Sequence, residues 1–442
     1  MDVVEQYYPT ARTGVEIVAG VEGAVREGRL TAGDRLPTIR DLATHLGLSP
    51  TTVAGAYRDL GARGVINGAG RQGTRVAARP LVASRSGPRF APGIRDLARG
   101  NPDPLLLPPL APAVARAAAA IGTPLYGDGT SDGALLTLAR ERLEADGIPA
   151  DHLTVVGGAL DGIERVLGAH LRPGDRVAVE DPGYSGLLEL LAALGLVTRP
   201  VPVDDSGMSA TALAATLAGG AEAVLVTPRA QNPFGSALDA ERAEALRRVV
   251  TAHPHVLVVE DDHAVGVAGS PAHSLAADRE RWSVIRSVSK ALAPDLRVAV
   301  VTGDSTTVAR VEGRRLLGTG WVSHLLQRTV VELWSDTEVG RTLEHARATY
   351  AQRRTALLNA LAARRIAAHG RSGLNVWVPV DDEAAVAGAL LAEGWGVLTG
   401  ERFRLGSPRA VRVTVAELVP HDAERLAAAF ERAVRTVPSR LG

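Results

Sequence analysis

The chain has no cysteine, and among 442 residues it has a single lysine. The absence of cysteine excludes disulfides and thiolate-bound zinc and fits a reducing compartment. Net charge is zero, which excludes a polyanion-binding bias of the whole molecule, so any nucleic-acid surface must be a local basic patch. Long hydrophobic runs are missing: the apolar stretches are short or broken by Pro and Gly, and none would span a bilayer. The opening MDVVEQYYPT lacks a basic segment followed by an apolar run, so no signal peptide is read there and the cytoplasm is the expected location. No repeat of fixed period stands out. Hydrophobic residues at 46% and charged residues at 22% describe an ordinary globular protein, long enough for two or three domains.

The single lysine, Lys290, is the most informative residue. The other 48 of the 49 basic residues (49 − 1) are arginine. Arginine replaces lysine wherever only a positive charge on a long stem is needed. It cannot replace an amine that must lose its proton and attack a carbonyl, because guanidinium stays protonated. Codon bias could also leave one lysine by chance, so the surrounding residues must decide.

Residues 79–95, with Pro, Gly, Ser and Arg and no periodicity, read as a linker. Residues 1–78 before it form a small domain. Residues 96–442 after it alternate helical and strand patterns, as an α/β fold does. LTVV (153–156), RVAVE (176–180), AVLVTP (223–228) and VLVVED (256–261) look like buried parallel strands. From about residue 340 a long helix leads to short strands and helices, a smaller α+β subdomain.

In the N-terminal domain, Ile39, Leu42, Ala43 and Leu46 follow helical spacing, and Val53, Ala56, Tyr57 and Leu60 repeat it. Between them Gly47 can end one helix, Ser49 can cap the next and Pro50 suits its first turn. That is a helix-turn-helix. Thr51 and Thr52 open the second helix, with Arg58 further along, where side chains reach bases or phosphates in a major groove. GVINGAGRQGTRVA (64–77) reads as a β-hairpin wing with Arg71 and Gln72 at its tip. Arg58, Arg63, Arg71 and Arg75 face only Asp59 between residues 42 and 78, so the patch is basic. A purely dimer-forming small domain is the plainer alternative.

In the large domain, RWSVIRSVSK reads as a strand leading to an exposed turn that carries Lys290. Ser287 and Arg297 flank it with groups able to hold an anion. Strand LTVV runs into Gly157-Gly158-Ala159 and a helix, where backbone N–H groups can meet a phosphate. Such a triplet is most often just a tight turn. Asp261 and Asp262 end a strand on the face where α/β sheets bind ligands, or else they cap or face solvent. Asn232 in QNPFG and Tyr184 in EDPGY also follow strands, as ligand groups or as turn and packing residues.

GRLTAGDRLPTIRDLATHLGLSPTTVAGAYRDLGARGVI resembles the winged helix-turn-helix of the GntR family, departing from it at Thr52 and Val53. The resemblance implies DNA contacts by Arg35, Arg40, Thr51, Thr52, Arg58 and Arg71. Residues from about 95 to 440 resemble fold-type I enzymes of the aminotransferase class, which use pyridoxal 5'-phosphate. The resemblance rests on SVSKALAPDLR, LTVVGGA, LRPGDRVAVEDPGY, NPFG and the strand-end EDD. It implies a mostly parallel sheet flanked by helices and a Schiff base (aldimine) on Lys290. By it, Gly158, Ala159, Ser287 and Arg297 hold the phosphate, Asp261 the pyridine nitrogen and Asn232 the phenolic oxygen. Tyr184 stacks on the ring, Arg412 in AVRVTVAEL binds an α-carboxylate, and Tyr126 reaches a partner subunit's phosphate. His263 stands where that family usually has a tyrosine on the phenolic oxygen. Whether Asp261 or Asp262 is the pyridine partner stays open at this point.

The fusion resembles the MocR subgroup of GntR-type regulators. It implies a pyridoxal-phosphate-dependent, DNA-binding transcriptional regulator, a head-to-tail homodimer, that senses an amine, amino acid or B6-related effector through Lys290. A working aminotransferase carrying a winged helix is the main alternative. A large domain that has lost the cofactor and serves as a scaffold is a third.

Overall fold

The structure is a computed structural model that describes residues 11–27, 29–62, 65–68, 73–77, 88, 90–276 and 279–436. Two compact units are distinguished: residues 1–85 with 172–175 and 189–198, and residues 86–171, 176–188 and 199–442.

Among the described residues, the N-terminal region builds three helices and a hairpin. Helix α1 (Gly14–Arg26) is capped by Thr13. Helix α2 (Ile39–Leu46) starts at a reciprocal cap, in which Thr38 Oγ1 accepts from the Asp41 N–H and donates to the Asp41 carboxylate at 2.7 Å. Gly47 ends it at φ 67°, a left-handed conformation that favours glycine. Helix α3 (Pro50–Ala62) is capped by Ser49, whose Oγ accepts from the Thr52 N–H at 3.1 Å. Strands β1 (Ile66–Gly68) and β2 (Thr74–Val76) pair antiparallel as the wing. Its tip, with Arg71 and Gln72, lies outside the described residues.

Ile17 and Val21 of α1, Leu42 of α2, Val53 and Leu60 of α3, and Ile66 and Val76 of the hairpin share one buried core. Helix α1 and its stripe were not read from the sequence. Nor was the segment Gly33–Leu36, which adds to the wing through Gly33 N–H to Val76 O and Leu36 N–H to Thr74 O. Ile39 departs from the expected stripe: it is the first residue of α2 and 37% exposed, so burial on that helix begins at Leu42.

In the second unit, β3 (Arg95–Asp96) is followed by α4 (Leu110–Ala120) and α5 (Gly133–Ala145). Then β4 (Leu153–Val156), α6 (Ala159–His170), β5 (Arg176–Asp181), α7 (Ser185–Ala193), β6 (Val197–Asp204) and β7 (Gly207–Met208) follow. The run continues with α8 (Ala210–Ala218), β8 (Ala223–Val226), α9 (Ala240–Thr251), β9 (Leu257–Asp262), β10 (Trp282–Ser287) and β11 (Ala299–Gly303). The strands form one sheet in the order β4-β11-β10-β9-β8-β5-β6-β7.

Strands β5, β8, β9 and β10 pair parallel, as expected of buried apolar runs joined by helices. Strand β4 is buried too, but its neighbour is antiparallel. The chain leaving β10 carries no α-helical crossover before it returns as β11, so β11 must run against both β10 and β4. That short return is the segment holding Lys290. Helix α6 packs over β9 and β10. Its Gly162 sits so close that a Cβ would lie 3.1 Å from Ile285 and from Val156.

Helices α10 (Ser305–Leu316), α11 (His324–Trp334) and the long α12 (Thr337–Ala363) lead to a smaller sheet of β12 (Asn375–Pro379), β15 (Ala410–Thr414) and β14 (Leu398–Thr399). Helices α13 (Glu383–Ala392) and α14 (Pro420–Thr436) share its core of Leu361, Val376, Leu390, Val413 and Phe430. Strand β13 (Trp395–Gly396) pairs with β3. The chain just after the linker is thereby stitched to the C-terminal subdomain, which spacing along the sequence does not reveal. Among the described residues no helix is long and apolar enough to cross a membrane.

Leu42 is fully buried where α1, α2 and α3 meet. Leu42→Ala should cost the N-terminal domain about 2–5 kcal/mol. Calorimetry on the whole chain should show its transition moved down and the large unit's transition left in place.

Candidate functional site

The sequence candidates of the large unit collect at the C-terminal ends of β5, β8, β9 and β10 and the N-terminus of α6. Lys290 follows β10 and is partly buried; its Nζ donates to the Gly100 carbonyl at 2.6 Å. Burial first, then the nearby Arg412 charge, pulls its ammonium down to about 8. Arg412 on β15 is buried. It donates through Nη1 to Asn232 Oδ1 at 3.0 Å and through Nη2 to the Ala98 carbonyl, and lies over the Phe403 ring at 4.9 Å. Its Nε has no hydrogen-bond partner among the described residues, and burial lowers its pKa to about 10. A guanidinium so desolvated, with no carboxylate ion-paired to it among the described residues, favours an incoming anion.

At the end of β9, successive side chains point to opposite faces of the sheet. Asp262 is ion-paired twice, to Arg229 Nε at 2.8 Å and Arg286 Nε at 2.9 Å. Burial alone would raise its pKa; the Arg229 hydrogen bonds and both cations hold it below the usual range. Asp261 is buried too, and its Oδ1 has no hydrogen-bond partner among the described residues. Burial pushes its pKa up against the pull of His263, whose Nδ1 lies 3.7 Å from Oδ2. The two carboxylates that the sequence could not separate are thus sorted by their partners: Asp262 is consumed, and Asp261 is left able to accept a proton-bearing nitrogen.

Gly158 caps α6 at φ 108° and sits under Arg297, where a Cβ would come within 2.5 Å of the guanidinium. Arg297, itself left-handed at φ 48°, donates to the Gly157 carbonyl at 2.7 Å. Ala159 is the first residue of α6, whose opening N–H groups have no partner within the helix. The Gly157 N–H, considered for phosphate binding on sequence, is taken by the Asp161 carboxylate at 2.7 Å. Ser287 Oγ exchanges hydrogen bonds with Ser289, both on the approach to Lys290. Tyr184 opens α7 and interacts electrostatically with Arg412. Tyr126 is not gathered in: it is 93% exposed and packs edge-on to Trp321 at 5.2 Å.

An orphaned buried carboxylate oxygen, a glycine cradle filled by an arginine, an unpaired buried guanidinium and one amine of lowered pKa together fit pyridoxal phosphate. Sequence reasoning missed Gly100 and Ala98, whose carbonyls carry no side-chain signal. It also missed Asn375, which lies 3.5 Å from Asn232 Oδ1 and accepts from Thr414. Arg229, Arg286 and Asp146, which the structure brings together around Asp262, carry no motif in the sequence.

On the winged helix, Arg35, Arg40, Thr51 and Arg58 are exposed. Thr52 is half-buried, and its hydroxyl is shared with Ser49 at 2.8 Å.

Residues 13–76 match the model of the bacterial regulatory proteins of the gntR family, and residues 93–430 that of the aminotransferases of class I and II. The vitamin B6 salvage pathway transcriptional repressor PtsJ of Salmonella typhimurium is 40% identical over 428 residues, covering 96% of this chain and 99% of that protein. The pyridoxine biosynthesis transcriptional regulator PdxR of Corynebacterium glutamicum is 29% identical over 369 residues, 78% of each chain. Among solved structures, the α-aminoadipate aminotransferase LysN of Thermus thermophilus superposes with a TM-score of 0.70 at 23% identity. It covers 78% of this chain and 93% of that one and shows the shared fold. The chain therefore belongs to the GntR-type transcriptional regulators in which a DNA-binding winged helix is fused to an aminotransferase-like domain, the MocR-type architecture.

Proposed function

We propose that this regulator holds pyridoxal phosphate on Lys290 and reads an amine-bearing or B6-related effector at that position, with operator DNA as its partner. The observation that carries the reading is the amine itself: the only lysine of the chain, depressed to about 8, beside an anion-seeking Arg412 and near Asp261, whose Oδ1 has no hydrogen-bond partner among the described residues. Pyridoxal phosphate supplies an aldehyde that condenses with primary amines and a ring that absorbs visible light. Gly158, Ala159, Ser287 and Arg297 would hold its phosphate. Asp261 would accept the pyridine N–H, Asn232 and His263 would serve the phenolic oxygen, and Tyr184 would cover the ring. Arg412 would bind a carboxylate of the effector.

A lysine pKa near 8 leaves roughly a few hundredfold more neutral amine at pH 7 than an ordinary lysine has. An effector amine would compete with Lys290 for the cofactor, and the displaced lysine would regain the free amine that donates to the Gly100 carbonyl here. Such a difference between two occupied states is what a sensor needs to shift a conformational equilibrium. The names of two relatives, one in B6 salvage and one in pyridoxine biosynthesis, favour a B6-related signal here and weigh against a free-standing aminotransferase. The reading includes a cytoplasmic homodimer. Exposed Leu125, Leu316 and Leu317 offer apolar surface for a second copy, which would bring Tyr126 to the partner's phosphate. The working limits are residues 1–78 for DNA binding, 79–95 for the linker and 96–442 for the effector domain.

Lys290→Ala should lose the visible band given by pyridoxal phosphate and the effector response of operator binding, while operator binding itself persists. In the native chain the rate of cofactor capture should climb up to about pH 8 and flatten above it, because only the neutral amine attacks. A rate still climbing to pH 10, as for an exposed lysine, would contradict the buried-amine reading. On the DNA side, Arg58→Ala should weaken binding evenly across operator sequences and reduce the salt slope by about 1. Loss of discrimination at one base pair would instead make Arg58 a base reader.

A further inference from the structure

Asp262 is the centre of a buried ion group outside the set of residues assigned to the cofactor. Its Oδ1 accepts from Arg229 Nε at 2.8 Å, and its Oδ2 accepts from Arg229 Nη2 and Arg286 Nε, both at 2.9 Å. The same two arginines meet again on Asp146, with Arg286 Nη2 at 2.6 Å and Arg229 Nη2 at 3.1 Å from its Oδ2. Two anions and two cations balance. Arg229, Arg286 and Asp262 are all but inaccessible, and Asp146 is the partly exposed outer end.

The placement of these four along the chain is what matters. Asp262 follows Asp261 and precedes His263. Arg286 precedes Ser287, four residues before Lys290, and is the register partner of Asp262 across β10 and β9. Arg229 leads into Ala230, held left-handed at φ 54°, and then into Gln231 and Asn232. Gln231 is itself fixed, donating to Glu180 at 3.2 Å and to the Pro182 carbonyl at 2.8 Å and accepting from the Phe234 N–H. One ion group on the far face of the sheet therefore anchors the three strand ends that present Asn232, Asp261 and Lys290. By satisfying Asp262 entirely, it leaves both cations with no reason to swing to Asp261.

We propose that the Arg229–Asp262–Arg286–Asp146 quartet is the positioning unit of the cofactor site, acting through Asp261, Asn232 and Lys290 without touching the ligand. The proposal rests on the reading of Lys290 given above. It has an electrostatic signature as well as a mechanical one. The charged group acting on Lys290 is Arg412, and those acting on or from Asp261 are His263, Glu180 and Asp262, through which the rest of the quartet is felt. Removing an anion of the quartet makes the site more positive and favours the neutral form of the nitrogen bonded to the cofactor. Removing a cation does the reverse. A merely loosened fold would move both classes of variant the same way.

The experiment uses the full chain loaded with pyridoxal phosphate and titrates the visible band of the bound cofactor against pH in Asp262→Asn, Asp146→Asn and Arg286→Gln. Melting of the cofactor-free protein reports folding. The expected result is a midpoint lowered on the order of one pH unit in Asp262→Asn and raised by a similar amount in Arg286→Gln. Asp146→Asn, at the outer end, should shift the midpoint down by about a few tenths of a unit and keeps the sign test readable if Asp262→Asn does not fold. Arg286→Lys should restore the native direction in part. Midpoints that move together, or stay put while the band is intact, overturn the quartet's role and leave the Lys290 reading standing. A wild-type chain that gives no visible band overturns that reading, and the quartet's role with it.

Discussion

Two adjacent carboxylates at the end of one strand are forced to opposite faces of the sheet, and the site depends on that geometry. Asp262 on one face is neutralised by Arg229 and Arg286. Asp261 on the other is buried with an oxygen unsatisfied. An unpaired buried carboxylate is costly, and its pKa rises to match. Neighbouring strands hold it in place, and under the proposed reading a proton-bearing ligand nitrogen would satisfy it. The lysine loop, the Asn232 loop and the α6 N-terminus are arranged around the same strand ends, where open α/β sheets place their ligands.

Much of this was legible in the residues. The helix-turn-helix could be read because Gly47 and Ser49 mark a turn by backbone chemistry, and because the stripes of Leu42, Val53 and Leu60 share a helical period. Lys290 could be read because arginine cannot do its chemistry. Asp261 and Asp262 could not be told apart, since adjacency in a strand says that they diverge but not which face holds the arginines. Gly100 and Ala98 act through carbonyls, which every residue has. The antiparallel setting of β4 depends on how the Lys290 segment returns, a matter of tertiary path and not of hydrophobic pattern. Ile39 fitted a stripe, but at the first position of its helix there is no preceding turn to cover it.

The same chemistry that would suit an enzyme suits a sensor. A partly buried amine of lowered pKa reacts with an aldehyde reversibly, and a buried guanidinium without a carboxylate partner among the described residues favours ligands that carry one. What separates sensing from turnover is the consequence of occupancy. Here Lys290 and Arg412 donate to the carbonyls of Gly100 and Ala98, in the segment that follows β3 and the linker. Under the proposed reading, a cofactor on Lys290 and an anion on Arg412 would compete for the bonds that hold this segment. The winged helix would supply the output, and Arg40, Thr51 and Arg58 on its second and third helices are exposed.

The central claim, that Lys290 holds the cofactor, is tested most directly by borohydride reduction of the full chain with pyridoxal phosphate, followed by peptide mass mapping. The chain has one lysine, so its side-chain amine and the N-terminal amine are the only primary amines available. The account predicts one reduced pyridoxyl group per chain, on the peptide containing Lys290. A group found only at the N-terminus, or none on the Lys290 peptide, would contradict it.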